Sequence, residues 1–469
     1  MLATINIPKT LSLFERTLIA CALFYSALVF CLPVPPSEEI ATLYPWWGKR
    51  IAIGNVQLHE LLFLGWFALY GRRFVPRALF NGGIPTRQAA VWLIALALWC
   101  GLISLPAPLP LLDLGRTFRL LLNAALLFAI VRWTRQTGEF PLAMLILGFF
   151  IGTIINLVLS FQDPLIVLET MRLSGQNTPG VAMGVAIHLS AWLFFRAGHY
   201  KLQAFAVFTT LVFAFGCSIS YSRIGWFAGG LGLIAWVYIL VVVRPRERSQ
   251  RRHLRKVRVV LVPALAFALV SLLSSPIGQE GLQWIQTLAQ QKFSNQGDSD
   301  TTRWAYVTGT AEILSRYPFG VGYSGFFDAM TATDTYRSGN AAEEDSLVEA
   351  NPHAAFLWYT TAGGIPGGLI ALLVFVMLLN SMRFGLVSAM GRPGLVLFAL
   401  VALPYVVIGL TVTYVFNSII LIAPAAIAAG WGWARRESWA EQANSGATPT
   451  AAFGGGSRPL LALSQTSTR

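Results

Sequence analysis

Between Ser275-Pro276-Ile277-Gly278-Gln279-Glu280 and Asn351-Pro352-His353 the chain carries its only long polar interval. On both sides one apolar segment follows another, so the interval reads as a large loop set between membrane spans, and loops held by a rigid scaffold are where chemistry concentrates. Its candidate working parts are Arg303 near the middle and His353 at the end, with Arg223 brought in from an earlier span.

Working outward, the 469 residues are 55% hydrophobic and 12% charged, with a mean hydropathy of +0.61. That excludes an ordinary soluble domain and leaves room for about a dozen helical spans of ~20 residues each. Apolar runs bounded by charges or by Pro/Gly clusters predict spans at 16–34, 54–71, 88–106, 113–133, 140–161, 180–197, 202–221, 223–243, 257–275, 353–382, 394–411 and 414–433. The expected fold is an all-α polytopic membrane protein with about twelve transmembrane helices and one large periplasmic loop. Nine spans fall within 1–274, the loop with short helices within 275–352, three spans within 353–436, and a disordered cytoplasmic tail over 437–469. The first apolar segment runs into Pro33 to Pro36 with no A-x-A cleavage site, and is read as a retained signal anchor. Cys21, Cys31, Cys100 and Cys217 all lie in apolar segments without a CxxC pair, so they read as packing residues rather than a disulfide or zinc framework.

Charge sets the orientation. With a cytoplasmic N-terminus, 24 of the 34 Lys and Arg fall on inner segments, including the run from Arg244 to Arg258, while 15 of the 21 Asp and Glu fall outside. The formal charge of +13 is therefore a positive-inside topology signal, and no nucleic-acid partner is expected. In a bacterium this makes the protein a multi-pass inner-membrane protein with membrane lipids as neighbours and the long loop in the periplasm.

Against an outer face near −5 (10 basic against 15 acidic residues), individual outward arginines stand out. Arg223, in Ser220-Tyr221-Ser222-Arg223, sits where two spans meet; such an arginine either snorkels to lipid phosphates or grips a phosphate with its fork of donors. Arg303 follows Asp298-Ser299-Asp300-Thr301-Thr302. Asp300 or Thr301 is the predicted cap of a helix whose apolar stripe is Trp304, Val307, Ala311 and Leu314, which places Arg303 in the first turn. There it either pairs with Asp298 or Asp300 or meets a phosphate. Gly320 and Gly322, in Pro318-Phe319-Gly320-Val321-Gly322, mark a turn and are candidates for close backbone approach to a substrate. With Asn351 as cap and Pro352 as first helical residue, His353 falls in the first turn of the next span, where the dipole disfavours imidazolium and leaves a ring able to accept a proton. Arg172 and Asn177 in an outer segment, and the i, i+3 pair Arg116 and Arg119, are further candidates for substrate binding, as is Asn351. Glu343, Glu344, Asp345 and Glu349 lack metal-ligand spacing and read as a solvated loop face, so no metal is expected. Four glycines and Pro366 within Thr361–Gly368 predict a kink in that span.

In order, these features are Arg223 after Ser-x-Ser, Arg303-Trp304 in an outer loop, Pro318-Phe319-Gly320-Val321-Gly322, and Asn351-Pro352-His353 entering a span backed by Gly363-Gly364 and Gly367-Gly368. The order resembles the bacterial O-antigen ligase and polymerase superfamily over roughly residues 150–420, most closely its O-antigen ligases. Here Ala354 follows the histidine where many members carry Asn. The resemblance implies a GT-C-like membrane glycosyltransferase without a cofactor. The implied donor is O-antigen glycan on undecaprenyl pyrophosphate, and the implied acceptor a sugar hydroxyl of lipid A-core. It also implies His353 as base, Arg223 and Arg303 on the pyrophosphate, and metal-independent inversion at the anomeric carbon. An O-antigen polymerase, a protein O-oligosaccharyltransferase and a transporter or flippase stand as alternatives.

Overall fold

The computed structural model describes residues 11–32, 52–53, 56–72, 84–162, 178–197, 199–220, 222–243, 283, 290, 296–337, 354–411 and 419–444. Apart from a two-residue ladder, Ala52–Ile53 against Val56–Gln57, these residues build helices. The first half holds α1 (Leu13–Cys31), α2 (Leu58–Trp66, continuing as a π turn over Phe67–Gly71), α3 (Ile84–Ile103), α4 (Pro110–Thr137) and α5 (Phe140–Gln162). There follow α6 (Thr178–Arg196), α7 (Tyr200–Ile219) and α8 (Arg223–Val241). After them come α9 (Gln296–Arg316) with the short α10 (Phe326–Thr331) and α11 (Asp334–Arg337), then α12 (Ala355–Met390), α13 (Arg392–Thr411) and α14 (Ile419–Asn444).

Among the described residues, nine helices are long and apolar enough to cross a membrane, so the chain is an all-α polytopic membrane protein. Eleven of the twelve expected spans fall on helices, and the one expected at 257–275 lies outside the described residues. The expected second span is corrected. The Ala52–Gln57 ladder takes its first residues, and α2 with its π turn is only fourteen residues (9 + 5), roughly 21 Å at 1.5 Å per residue. The last helix runs to Asn444, past the boundary expected at 437, and Glu437 on it pairs with Arg135.

Two helices form the centre of the bundle. Gly180 to Phe194 of α6 and Ile420 to Gly432 of α14 are buried without interruption. Both are rich in Ala and Gly, which lets neighbouring helices approach closely where dispersion packing, rather than water exclusion, holds them together. His188 is part of this core; its Nε2 donates to the Ala228 carbonyl at 3.0 Å.

The helices alternate, giving the bundle two distinct ends. At one, Glu15 at the start of α1 meets Trp66 at the end of α2 (3.2 Å) and Arg132 near the end of α4 (3.6 Å). At the other, Asn156 near the end of α5 donates to the Cys31 carbonyl at the end of α1 (2.8 Å), and the starts of α6 and α8 touch at Gly180 and Gly225. This second end, called the site end below, holds the N-termini of α4, α6, α8 and α12.

Candidate functional site

α12 is broken where its sequence predicts a kink. Gly364 has φ +66° inside an otherwise helical run, the tenth residue in and roughly 14 Å along the axis. Pro366 has no N–H for the Ala362 carbonyl, and the break takes the Ile365 amide away from Thr361. The turn after α9 fills the gap. Val321 N–H donates to Thr361 O and Gly322 N–H to Ala362 O, while Ile365 N–H donates to Pro318 O, each at 3.0 Å. Three backbone hydrogen bonds thus splice residues 318–322 into a span, satisfying groups that an apolar surrounding would otherwise leave unpaired. The fit requires glycine. A Cβ on Gly364 would lie 2.2 Å from Pro318 O, and one on Gly320 (φ +97°) would lie 2.4 Å from Gly364 N. Gly320 and Gly322 therefore turn their Cβ directions toward protein, Gly364 in one case and Ala107 in the other.

On the far side, the same loop is bolted to α4. Asp113, fully buried, accepts hydrogen bonds from the Ser324 amide and hydroxyl, both at 2.9 Å, and lies 3.5 Å from Arg116. Ser324 Oγ in turn accepts from Leu109 N–H, the residue capping α4 (3.0 Å). Arg116 lies over Trp358 and Tyr323, 5.3 and 5.9 Å from their ring centroids, so its charge is shared between a carboxylate and two π faces. Burial pushes the Tyr323 phenol well above its ordinary range, with Cys100 and Tyr359 adding to the shift, and keeps the ring neutral. Trp99 Nε1 donates to Gly363 O at 2.6 Å, tying α3 to the upper half of α12. Arg119 pairs with Glu60 at 2.5 Å. The sequence reading chose Arg116 and Arg119 for their outward charge and missed the partners Asp113 and Glu60. Asp113 was legible only as an acid three residues before an arginine in a helix's first turn.

Arg223 opens α8 at the site end. Ser222 caps the helix, its Oγ accepting from Gly225 N–H at 3.0 Å, and the close approach of Gly180 to Gly225 fixes the turn carrying the arginine. Arg223 is half-buried. The expectation for Arg303 is corrected in two ways. Its helix begins at Gln296, so Asp300 and Thr301 are internal and Arg303 is the eighth residue rather than part of the first turn. The buried stripe of α9 is Ala305, Tyr306, Thr310 and Ile313, while Trp304 is 68% exposed and Val307 38%. Tyr306 packs toward Phe326, and Met330 fills the space at Gly309, so the short helices α10 and α11 selected the other face. The Arg303 side chain, Arg172, Asn177, Asn351, His353 and the 343–349 acids lie outside the described residues. The helix after His353 begins at Ala355, with Ala354 extended as its cap and no side chain capping it, so the cap expected at Asn351 is replaced. Beside the splice a groove of about 530 Å³ runs between Leu102, Pro106 and Pro108 on one side and Tyr317, Val321 and Ala329 on the other. Among the described residues, no group of three or more His, Cys, Asp or Glu is placed to hold a metal ion.

Residues 208–372 match the family model described as O-antigen ligase. This segment, about a third of the chain, is similar to that family. It contains Arg223, Arg303 and His353 together with both sides of the Gly320–Gly364 contact, whereas Asp113, Arg116, Arg119, Arg172 and Asn177 precede it. No curated protein matches the chain.

Proposed function

We propose that the protein is an O-antigen ligase that moves glycan from undecaprenyl pyrophosphate to a sugar hydroxyl of lipid A-core, at the periplasmic face of the bacterial inner membrane. The observation that carries this reading is the family match, because one domain includes both arginines, the histidine and the spliced turn between them. In the proposed reaction the acceptor oxygen attacks the anomeric carbon and His353 takes its proton. The bond to the pyrophosphate oxygen breaks with inversion, and Arg223 and Arg303 neutralise the charge growing on the departing group. Permanent guanidinium charge does here what a metal ion does in other phosphate sites, so the reaction is proposed to need no metal. α12 begins two residues after His353 in the sequence, and on this reading the positive end of its dipole favours the neutral, proton-accepting ring. Arg116 and Arg119, each keeping exposed surface beside its carboxylate, extend the cationic rim, with Arg172, Asn177 and Asn351 as further contacts to the substrates.

The test is transfer by purified protein in lipid nanodiscs, with undecaprenyl-pyrophosphate glycan as donor and lipid A-core as acceptor. Wild type is expected to form higher-mass lipopolysaccharide with or without EDTA. General-base assistance is typically worth about 10²- to 10⁴-fold, so His353→Ala should lose at least that much, and Arg303→Ala a comparable amount. Glycan polymerisation by folded wild type, with no transfer to lipid A-core, would replace the ligase reading with a polymerase.

A further inference from the structure

We infer that Asp113, on a helix outside the O-antigen ligase domain, is a positioning residue for the reaction, setting where the α9 arm stands relative to α12. The inference rests on the transferase reading above for its activity arm only. Asp113 is a fully buried carboxylate, and its partners are unusual for a structural acid. It takes two hydrogen bonds from one loop residue, Ser324, and reaches Arg116 on its own helix, rather than closing an ion pair between spans. Ser324 lies two residues after Gly322, whose amide is spliced to the broken α12, and eight residues after Arg316, where α9 ends. A single short loop is therefore held at one end by α4 and at the other by the upper half of α12. It joins the helix bearing Arg303, which also touches α12 directly, to the helix that follows His353.

Geometry makes this bracket directional. The splice at Thr361, Ala362 and Ile365 fixes the loop along one edge of α12. Asp113 adds the anchor off the edge. Arg116, lying over Trp358 of α12 and Tyr323 of the loop, closes the triangle between α4, the loop and α12. Loss of the anchor is expected to let α9 swing while the splice stays formed. Misplacement by about 1 Å far from the reacting atoms can cost about 10²-fold in rate, and a group that only orients others acts on turnover rather than on donor affinity.

The experiment compares wild type, Asp113→Asn, Asp113→Ala and Ser324→Ala in nanodiscs, in a Cys21→Ser background; the other three cysteines are buried. Spin labels at Leu111→Cys on α4 and Ala311→Cys on α9, both exposed positions, report the separation of the two helices by pulsed electron resonance. Asp113→Ala is expected to broaden that distance distribution and to lower kcat about 10²-fold with donor KM changed less than threefold. Asp113→Asn, which keeps an acceptor for Ser324, should recover most of both, and Ser324→Ala should fall between. Folded Asp113→Ala with an unchanged distance distribution would overturn the inference, whatever its activity. So would a broadened distribution with unchanged kcat. Wild type that transfers no glycan would defeat the ligase reading alone, because the distance measurement needs no substrate.

Discussion

At the level of single residues, Glu312 shows how one carboxylate orders the exposed helices. It accepts from the Thr335 hydroxyl, from Asp334 N–H at 2.7 Å and from Thr335 N–H at 3.2 Å, so one α9 side chain takes three hydrogen bonds from the start of α11. These bonds, the Thr335 hydroxyl first, together with nearby Arg316, hold its carboxyl below the usual carboxylate range against the opposing cost of burial. A folded pKa below the unfolded one means a contribution to stability that is complete above the ordinary carboxylate range of about 4.3. It is lost as pH falls through the lower folded value. Amide exchange at Asp334 and Thr335, corrected for intrinsic rates, should therefore be slow at pH 7 and rise once the pH falls below the ordinary carboxylate range. Glu312→Gln should exchange fast at both pH values; slow exchange in that variant would show that other contacts hold α11. Little of this was legible in the sequence, where Glu312 was one more outer acid, because Thr335 and Glu312 are joined only by the chain reversal through α10. The place of Arg223 in the chain was legible, since Ser220-Tyr221-Ser222-Arg223 reads as the junction of two spans and α8 begins there.

At the level of elements, the break in α12 was readable and its purpose was not. Gly363, Gly364, Pro366, Gly367 and Gly368 announce a weak helix, but which strand of chain repairs it depends on contacts across forty residues or more. The amphipathic reading of α9 failed for a related reason. Trp304, Val307, Ala311 and Leu314 have helical spacing, yet the partners that bury a face, Phe326 and Met330, favour Tyr306 and Gly309. The break rests on two separable causes, which the splice tests. Pro366→Ala restores a donor for Ala362, but Gly364 still holds its left-handed conformation, so the Val321 and Gly322 amides should stay protected. Gly364→Ala sets a methyl group against Pro318 O and forces a residue with Cβ into positive φ, which costs on the order of 1–3 kcal/mol. The double variant Gly364→Ala/Pro366→Ala is expected to run as one continuous helix and expel the turn. Fast exchange at Val321 and Gly322, with transfer activity lost and most helical content kept, is the expected result. Full protection of both amides in the double variant would mean that the turn, rather than the helix, dictates the break.

At the scale of the whole molecule, orientation is the claim that charge alone makes. The end opposite the site carries Arg16, Arg72, Arg132, Arg135, Arg196, Lys201, Arg383, Arg392, Arg435 and Arg436, with Glu15, Glu139 and Glu437 among them. The site end and its exposed helices carry Arg116, Arg119, Arg223, Arg316 and Arg337 against Glu60, Asp113, Glu312, Asp328 and Asp334. Several arginines at the opposite end are also tied down, Arg196 to Glu139 (3.2 Å) and Arg436 over Phe384 (4.4 Å), so their side is fixed by the fold and not only by the sequence. Excess Lys and Arg marks the cytoplasmic side of a multi-pass protein, and on that rule we propose that the splice, Asp113 and the start of α8 face the outer side. Two variants with one exposed cysteine each test this, both built on a chain with Cys21 replaced: Arg337→Cys on α11 and Arg392→Cys at the start of α13, both exposed positions. In intact cells with a permeable outer membrane, a membrane-impermeant maleimide should label position 337 and spare 392, and inverted vesicles should give the opposite pattern. The reverse result would put the whole splice in the cytoplasm, where a reaction on glycan carried by outward-facing lipid has no substrate, and the proposed function would fall with the topology.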